Sequence, residues 1–309
     1  MKRLILLPPI MQRPYVLVSQ HAFFKQLAED CGFDIIYTKI PPEETHSSDI
    51  VLIWISSGTQ SMFKKSLNIE KKVKIIYLLH GDHTYGRKHI EQLVNRGDLI
   101  IHTYGERLRR EFVGLSKKLV FIPQCYGPRD VFELPWNEKP IMRCLFTGHT
   151  NGKIYPFRSY LYRRLAREKK VQNMITKMRH PRWESNLNLR PWEIERAFLK
   201  GYAKALNSHF CAIATASRYH QGVAKYFEIP ATGALLLGED VEDIRMAGLE
   251  PNKHFVPVEA VNVIERISDC LNNPQKYNDM RRRTMEYVRT NHSLNNRIKL
   301  FREILGRLA

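Results

Sequence analysis

The chain has 309 residues, about the length of two ordinary domains with a sizeable apolar core. Hydrophobic residues make up 43% of the sequence and charged residues 26%, which excludes a largely disordered chain, a collagen-like chain and a small disulfide-stapled protein. The 49 basic residues outnumber the 31 acidic ones and give a formal net charge of +18; the excess is greatest in residues 143–204, with 15 basic and 4 acidic side chains. Such a field attracts polyanions, namely nucleic acid, an anionic membrane surface or phosphorylated small molecules.

The first half alternates short apolar runs with helical patterns, two of which end at glycine. The apolar runs predict strands covered on both faces of a parallel sheet, at residues 3–7, 15–18, 34–37, 50–55, 74–79, 99–102 and 119–122. The helical patterns predict helices at residues 22–31, 89–96 and 105–112. This alternation favours a doubly wound α/β domain.

A turn-rich segment, residues 125–140, separates this half from a second α/β pattern and indicates an interdomain connection. Strands are predicted at residues 143–147, 210–214, 234–237 and 254–257, and helices at 158–169, 193–207, 223–230, 241–247, 260–272 and 275–289. We expect a domain at residues 1–138, a second at 139–290 and a carboxyl-terminal helix within 291–309. Two such domains leave a cleft, and ligands of these sheets bind beyond the carboxyl ends of the strands.

The sequence favours a cytoplasmic location, with peripheral attachment to an anionic membrane as one use of its positive charge. No apolar run approaches the roughly 20 residues that a membrane span needs, and the amino-terminal segment lacks the apolar run and cleavage site of a signal peptide. The five cysteines are odd in number, widely spaced and without a C-x-x-C pair, which is typical of a reducing compartment.

Residues 225–243, KYFEIPATGALLLGEDVED, combine groups that can bind a nucleotide. Lys225 and Glu228 are three positions apart and so share one helical face. The carboxylate could accept hydrogen bonds from a ribose diol while the ammonium neutralises a phosphate, although spacing alone favours a plain surface ion pair. Gly233 and the preceding proline end the helix before a buried strand.

This segment resembles the K/R-x-F-E-x-x-A-x-G-A-L-L-L signature of GT-B glycosyltransferases, in particular the group 1, CgeB-like branch. Further segments resemble the same family in order: HGDHTYG at 80–86, GHTNGKIYPFRSYL at 148–161, LEPNKHFVPVE at 249–259, LNNPQKY at 271–277 and NHSLNNRIKLF at 291–301. The resemblance covers roughly residues 75–305. It implies two Rossmann-like domains, each a mostly parallel sheet flanked by helices, with the acceptor bound by the first and a nucleoside diphosphate sugar by the second. The last helix is expected to cross back to the first domain.

The resemblance also implies which residues bind the donor. Glu228 corresponds to the carboxylate that holds the ribose hydroxyls, and Lys225 and Arg158 to cations near the diphosphate. The full implied set is Glu228, Lys225, Arg158, Gly148, Lys153 and Gly233. The loop from Gly148 to Lys153 would bring backbone close to the phosphates, and Gly233 would keep the strand turn tight.

The candidate catalytic residues are histidines and one carboxylate. His80, Asp82 and His83 lie in one loop after a strand, where a histidine with an orienting carboxylate is a plausible base for deprotonating the acceptor hydroxyl; a structural polar loop is the alternative. Many retaining relatives carry a glutamate eight positions before the donor glutamate, whereas this chain has His220, a residue that could face the sugar or lie in an ordinary loop. We expect neither a bound metal nor another cofactor, since cations and backbone N–H groups can stabilise the departing diphosphate.

The acceptor is left open by the sequence: a glycan or anionic envelope polymer, a protein, or a hydroxymethylated base in DNA. The alternative to an enzyme is a non-catalytic nucleic-acid-binding protein on a degenerate GT-B scaffold; a third possibility is another α/β sugar enzyme of the epimerase type.

The RRR run at residues 281–283 is predicted to be a solvated helix face. The aromatic residues near the basic helix, Tyr155, Tyr160 and Tyr162, could stack on bases but more often anchor a loop.

Overall fold

The computed structural model describes residues 2–12, 18–55, 60–79, 87–103, 105, 110, 118–150, 152–178 and 191–308. The chain divides into two compact units. Unit 1 comprises Met1–Pro123 and Asn295–Ala309, and unit 2 comprises Gln124–Leu294. Among the described residues, no helix combines the length and the apolar character needed to cross a membrane.

Unit 1 is built on a six-stranded sheet in the order β2-β1-β3-β4-β5-β6, and every strand pair is parallel. The strands are β1 (Arg3–Leu7), β2 (Asp34–Tyr37), β3 (Ile50–Ile55), β4 (Lys74–Leu79), β5 (Leu99–His102) and β6 (Leu119–Phe121). All side chains of β3 and β5 are buried, as expected for strands with apolar layers on both faces. The predicted strand at 15–18 is wrong at Val18, which begins a helix; residues 15–17 lie outside the described part.

Before the last helix of the chain, the described helices of unit 1 are α1 (Val18–Cys31), α2 (Gln60–Ser66) and α3 (Arg87–Arg96), together with short 3-10 turns at Pro9–Gln12 and Glu43–Ser47. Helix α1 ends at Gly32, whose φ of +67° suits glycine and whose N–H bonds the Ala28 carbonyl at 3.0 Å. The predicted helix at 105–112 falls mostly outside the described residues.

The last helix of the chain packs on the sheet of unit 1. This helix is α13 (Leu294–Gly306), and α4 to α12 belong to unit 2. Its buried residues Ile298, Phe301 and Ile304 recur at the three- and four-residue spacing of one helical face and join the apolar layer that contains Phe24. Arg297 Nε donates to the Pro123 carbonyl at 2.7 Å, which fixes the helix at the end of the first chain segment.

Unit 2 contains a five-stranded, all-parallel sheet in the order β11-β10-β9-β7-β8. The strands are β7 (Ile141–Phe146), β8 (Ile175–Lys177), β9 (His209–Ala214), β10 (Leu235–Gly238) and β11 (Val256–Pro257). Two buried apolar clusters draw on these strands. The alternation of strands and helices in both units confirms the predicted α/β class with two Rossmann-like sheets.

The helices of unit 2 are α4 (Arg129–Phe132), α5 (Pro156–Arg167), α6 (Lys169–Met174), α7 (Pro191–Phe198), α8 (Lys200–Ser208), α9 (Lys225–Ala231), α10 (Glu242–Met246), α11 (Val263–Asn272) and α12 (Pro274–Asn291). The single helix predicted at 193–207 is therefore wrong: the chain breaks at Leu199, where φ is −113° and ψ is −138°. The break lets Gly201 approach the backbone of Arg196, since a Cβ at Gly201 would lie 2.7 Å from the Arg196 Cα.

The predicted solvated face at residues 281–283 is wrong for Arg281, which is 2% exposed. Its Nε donates to the Gly233 carbonyl at 3.1 Å, and its guanidinium lies 4.4 Å from the Trp136 ring centroid. Arg282 and Arg283 are exposed as expected. A charge run does not reveal which of its members faces the core, because that depends on the neighbouring elements.

Candidate functional site

The candidate site lies at the carboxyl ends of β7, β9 and β10 in unit 2. Strands β8 and β9 flank β7 on opposite sides, so the chain changes direction across the sheet at β7. A parallel sheet binds its ligands at such a switch point, beyond the carboxyl ends of the strands. The residues that follow the three strand ends include Gly148, Thr215 and Glu239.

Gly148 brings two cations against the backbone. Its φ is +111°, a conformation that residues with a side chain rarely adopt. A Cβ built on Gly148 would lie 2.8 Å from Arg158 Nη1 and 2.8 Å from Lys225 Nζ. Both charged groups thus contact the turn that follows β7, and the missing side chain at residue 148 is what leaves room for them.

Arg158, in the first turn of α5, is 5% exposed and connects two strand ends. Its Nε donates to Thr215 Oγ1 at 3.0 Å, after β9, and its Nη1 donates to the His149 carbonyl at 3.0 Å, after β7. Its guanidinium carbon lies 4.0 Å from the Tyr155 ring centroid. Burial lowers the Arg158 pKa, although an arginine stays charged at any physiological pH.

Lys225, the first residue of α9, is half-buried, and its Nζ donates to the Thr147 carbonyl at 2.7 Å. Desolvation lowers the pKa of Lys225 well below its usual value and repulsion by Arg158 lowers it further, while attraction by the nearby Glu228 offsets part of this fall. Within the described part of the chain, neither Lys225 nor Arg158 forms an ion pair with a carboxylate. The site therefore holds two adjacent positive charges that an anion would neutralise.

Glu228 lies one turn after Lys225 on the same helix. Tyr202 of α8, itself buried, donates from its hydroxyl to Glu228 Oε2 at 3.3 Å. Burial raises the pKa of Glu228 to about 7, and the nearby Lys225 charge and the Tyr202 hydrogen bond offset part of that rise. Near neutral pH this carboxyl group therefore changes between an acceptor-only carboxylate and a protonated acid.

Glu239 is a site residue that the motif analysis did not single out. It directly follows β10, and its Oε2 accepts the Ala216 N–H at 2.7 Å, which ties the ends of β10 and β9 together. Burial raises its pKa to about 7, partly offset by that N–H and by the Arg158 charge. The sequence signal that could have found it is its position, a carboxylate immediately after a buried strand of a parallel sheet.

The structure brings together four of the implied donor residues, namely Gly148, Arg158, Lys225 and Glu228. Lys153 is exposed in the turn before α5. Gly233 lies at the amino end of β10, the opposite edge of the sheet, where φ is +88° and a Cβ would meet Met285 Sδ at 3.3 Å. It turns the chain tightly before β10, and a contact between Gly233 and the donor stays a prediction.

Of the candidate catalytic residues, the structure describes only His220. This residue is exposed in the loop after β9, and its φ of +56° is uncommon for a residue with a side chain. Its N–H bonds the Ser217 carbonyl at 2.9 Å. His80, Asp82 and His83 lie outside the described residues. Within the described residues, no group of three or more His, Cys, Asp or Glu side chains is arranged to hold a metal ion.

Residues 158–303 match a family model described as glycosyl transferase-like. This range runs from Arg158 through Lys225 and Glu228 into the last helix. A comparison with curated protein sequences finds no match.

Three solved structures with the same fold cover this chain almost completely. HepE of Anabaena, crystallised with UDP-glucose, is 12% identical, with 99% of this chain and 100% of that chain covered and a TM-score of 0.66. The glycosyltransferase of Rickettsia africae ESF-5 is 13% identical, with 98% and 97% covered and a TM-score of 0.58. An α-glucosyltransferase crystallised with UDP and a 13-mer DNA containing an HMU base is 10% identical, with 99% of both chains covered and a TM-score of 0.53. The chain therefore has the GT-B fold that these solved structures share, and its residues 158–303 form a glycosyl transferase-like domain.

Proposed function

We propose that this enzyme transfers a sugar from a nucleoside diphosphate sugar, and that the pocket around Gly148 binds the donor diphosphate. The observation that carries the proposal is the convergence of Arg158 Nη1 and Lys225 Nζ at Gly148, without a carboxylate partner among the described residues. Two unpaired cations side by side are costly when partly desolvated, and a dianionic ligand removes that cost.

This arrangement suits the chemistry of sugar transfer. Negative charge develops on the leaving diphosphate as the glycosidic bond breaks, and fixed cations stabilise that charge without reorganisation. Arg158 is held by Thr215 and His149, and Lys225 by the Thr147 carbonyl, so both are positioned before the donor arrives. The proposed mechanism needs no metal, because these two residues supply the positive charge.

We assign Glu228 to the ribose hydroxyls. The Tyr202 hydroxyl occupies Oε2, while no described residue donates to Oε1, which is then available to accept from a ribose hydroxyl. Residues that carry the donor motif, K-Y-F-E-I-P-A-T-G-A-L-L-L, also support placing the chain in the CgeB-like branch. The acceptor base is proposed to come from the loop with His80, Asp82 and His83, and His220 to face the transferred sugar.

The donor class is proposed to be uridine-based, since several proteins of the same fold were crystallised with UDP or UDP-glucose. The acceptor is proposed to be an anionic glycan, a component at an anionic membrane surface, or modified DNA. One structural neighbour was crystallised with DNA bearing a modified base, which keeps nucleic acid among the acceptors to assay.

The test measures dissociation constants by titration calorimetry for UDP, GDP, ADP and CDP, and then compares variants with the nucleotide that binds best. Lys225→Met should weaken binding of the diphosphate by about 10- to 100-fold, the loss of one charge-assisted hydrogen bond. Glu228→Gln should weaken the diphosphate but leave its 2′,3′-dideoxy analogue unchanged, because the analogue lacks the hydroxyls. Glu195→Gln, an exposed glutamate on α7, is the matched control.

Each assignment can fail separately. Absence of binding by all four nucleotides would overturn the donor site. If Lys225→Met binds the diphosphate as tightly as the parent protein, the phosphate assignment is wrong. If Glu228→Gln weakens the dideoxy analogue as much as the parent nucleotide, Glu228 does not contact the ribose.

A further inference from the structure

A basic face covers one edge of unit 2. Residues 156–178, which form α5, α6 and β8, contain seven basic side chains and one acidic one. The acidic residue, Glu168, is engaged by Arg164, whose Nε and Nη2 donate to its two oxygens at 2.5 Å each. We call the remaining exposed cations the basic face: Arg163, Arg167, Lys169, Lys170 and Lys177. Among the described residues none of them has a carboxylate partner.

An apolar groove opens on the same face. Its volume is about 310 Å³, and it is lined by Tyr162, Leu165, Ala166, Gln172, Ile175 and Lys177. The Lys177 ammonium lies 3.9 Å from the Tyr162 ring centroid and so fixes the aromatic wall. Strand β8 beside it is the edge strand of the sheet. The groove thus combines an aromatic side chain, an apolar floor and a cationic rim.

We propose that this face binds single-stranded nucleic acid, with phosphates on the basic face and a base in the groove. Single-strand sites combine a positive surface that follows the backbone with aromatic rings on which bases stack. The shape favours this occupant over a lipid surface. Of the apolar residues of the groove only Tyr162 and Ala166 are exposed, while the floor residues Leu165 and Ile175 recede. The basic face adds five exposed cations, whereas insertion into a membrane requires a larger set of protruding apolar side chains. The proposal goes beyond the transfer reaction and does not rest on the donor site.

The test measures binding of a fluorescein-labelled single-stranded DNA 20-mer to the full chain, without nucleotide, between 50 and 200 mM salt. The face variant carries Arg163→Gln, Arg167→Gln, Lys169→Gln and Lys170→Gln. The control variant removes the same charge from four exposed lysines of unit 1, namely Lys64, Lys65, Lys71 and Lys299. Circular dichroism checks that both remain folded.

Each phosphate contact contributes about 0.7 to the slope of log affinity against log salt for single strands. Losing four contacts should lower the slope by about 3, so the face variant should lose about 50-fold less affinity over this salt range than the parent protein. The control should keep the parent slope. Tyr162→Leu keeps the groove apolar but removes the ring; it should bind about tenfold more weakly with an unchanged slope.

Three outcomes would overturn the proposal. The first is equal slopes for the face and control variants, which would reduce the effect to net charge. The second is no loss of affinity in Tyr162→Leu. The third is binding of the parent protein to phosphatidylserine–phosphatidylcholine vesicles, lost in the face variant, without binding to the oligonucleotide. That result would assign the face to a membrane surface.

Discussion

Replacing Gly148 by alanine should separate the cost of backbone strain from the loss of the anion pocket. A left-handed or otherwise disfavoured φ costs an alanine about 1–3 kcal/mol. At Gly148, with φ +111°, the added Cβ would also lie 2.8 Å from both Arg158 Nη1 and Lys225 Nζ. Arg158 cannot retreat freely, because it is buried and bonded to Thr215 and His149. Lys225 can move only by giving up the hydrogen bond from its Nζ to the Thr147 carbonyl.

The expected penalty follows from these contacts. Displacing the Arg158 guanidinium breaks at least one charge-assisted hydrogen bond, about 1.5–3 kcal/mol. Together with the strain, Gly148→Ala should destabilise unit 2 by about 3–5 kcal/mol. Gly32→Ala is the matched control: its φ is +67°, but a Cβ there has no neighbour within 4 Å. Its cost should therefore be the strain alone, about 1–2 kcal/mol.

Urea denaturation followed by circular dichroism measures the free energy of unfolding of each variant, and calorimetric titration measures its dissociation constant for UDP. We expect Gly148→Ala to lose at least tenfold in affinity and Gly32→Ala to lose none. Equal destabilisation by the two substitutions, with UDP affinity intact in both, would show that Arg158 and Lys225 do not depend on the space at Gly148. The assignment of that turn to the phosphates would then be wrong.

Three further substitutions test the electrostatics of unit 2. Glu239 has a pKa of about 7 in the folded protein against 4.5 in an unfolded chain, so its contribution to the free energy of unfolding is lost as pH rises from 4.5 through 7. Thermal unfolding of Glu239→Gln should match the parent at pH 4.5 and show a variant more stable by about 1–3 kcal/mol at pH 8. The Glu228 pKa is also about 7, so the carboxylate that accepts from the ribose forms between pH 6 and pH 8. Over this range the ratio of the affinities for the nucleoside diphosphate and its dideoxy analogue should rise up to about tenfold in calorimetric titration. In Glu228→Gln this ratio should not change with pH. Arg281→Met leaves the Gly233 carbonyl without its donor and should cost about 2–4 kcal/mol in urea denaturation, whereas Arg282→Met on the exposed side should cost less than about 1 kcal/mol; equal costs would contradict the buried role of Arg281.

The sheets could be predicted from the sequence because their strands are buried on both faces. Residues 50–55 are all apolar and residues 74–79 are apolar after Lys74, and the structure confirms a strand at each with the same bounds. The signal is local, so it survives without knowledge of neighbours. The short strand β11, Val256–Pro257, lies inside a longer predicted run, because its length depends on pairing with β10 and not on its own pattern.

The site was predictable only where its residues share one motif. Lys225 and Glu228 stand three apart, so their common face follows from helix geometry. Tyr202, which donates to Glu228, comes from another helix 26 positions earlier, and Glu239 meets Ala216 across 23 positions. Local pattern carries no information about such pairs. The same limit explains Arg281, whose burial depends on Trp136 and Gly233, far from it in the chain.

The two cations at Gly148 should make the stability of unit 2 depend on a bound anion. Burial lowers the pKa of both Arg158 and Lys225, so the protonated form of each side chain is less favourable in the free site than in water. A diphosphate reverses this penalty, since an opposite charge nearby favours the protonated lysine. A neutral pocket of the same shape would fold more easily but would lack the positive charge that the proposed transfer needs at its leaving diphosphate. The close approach of two cations at Gly148, which only a residue without a side chain allows, therefore fits a site organised for an anion before the anion is present.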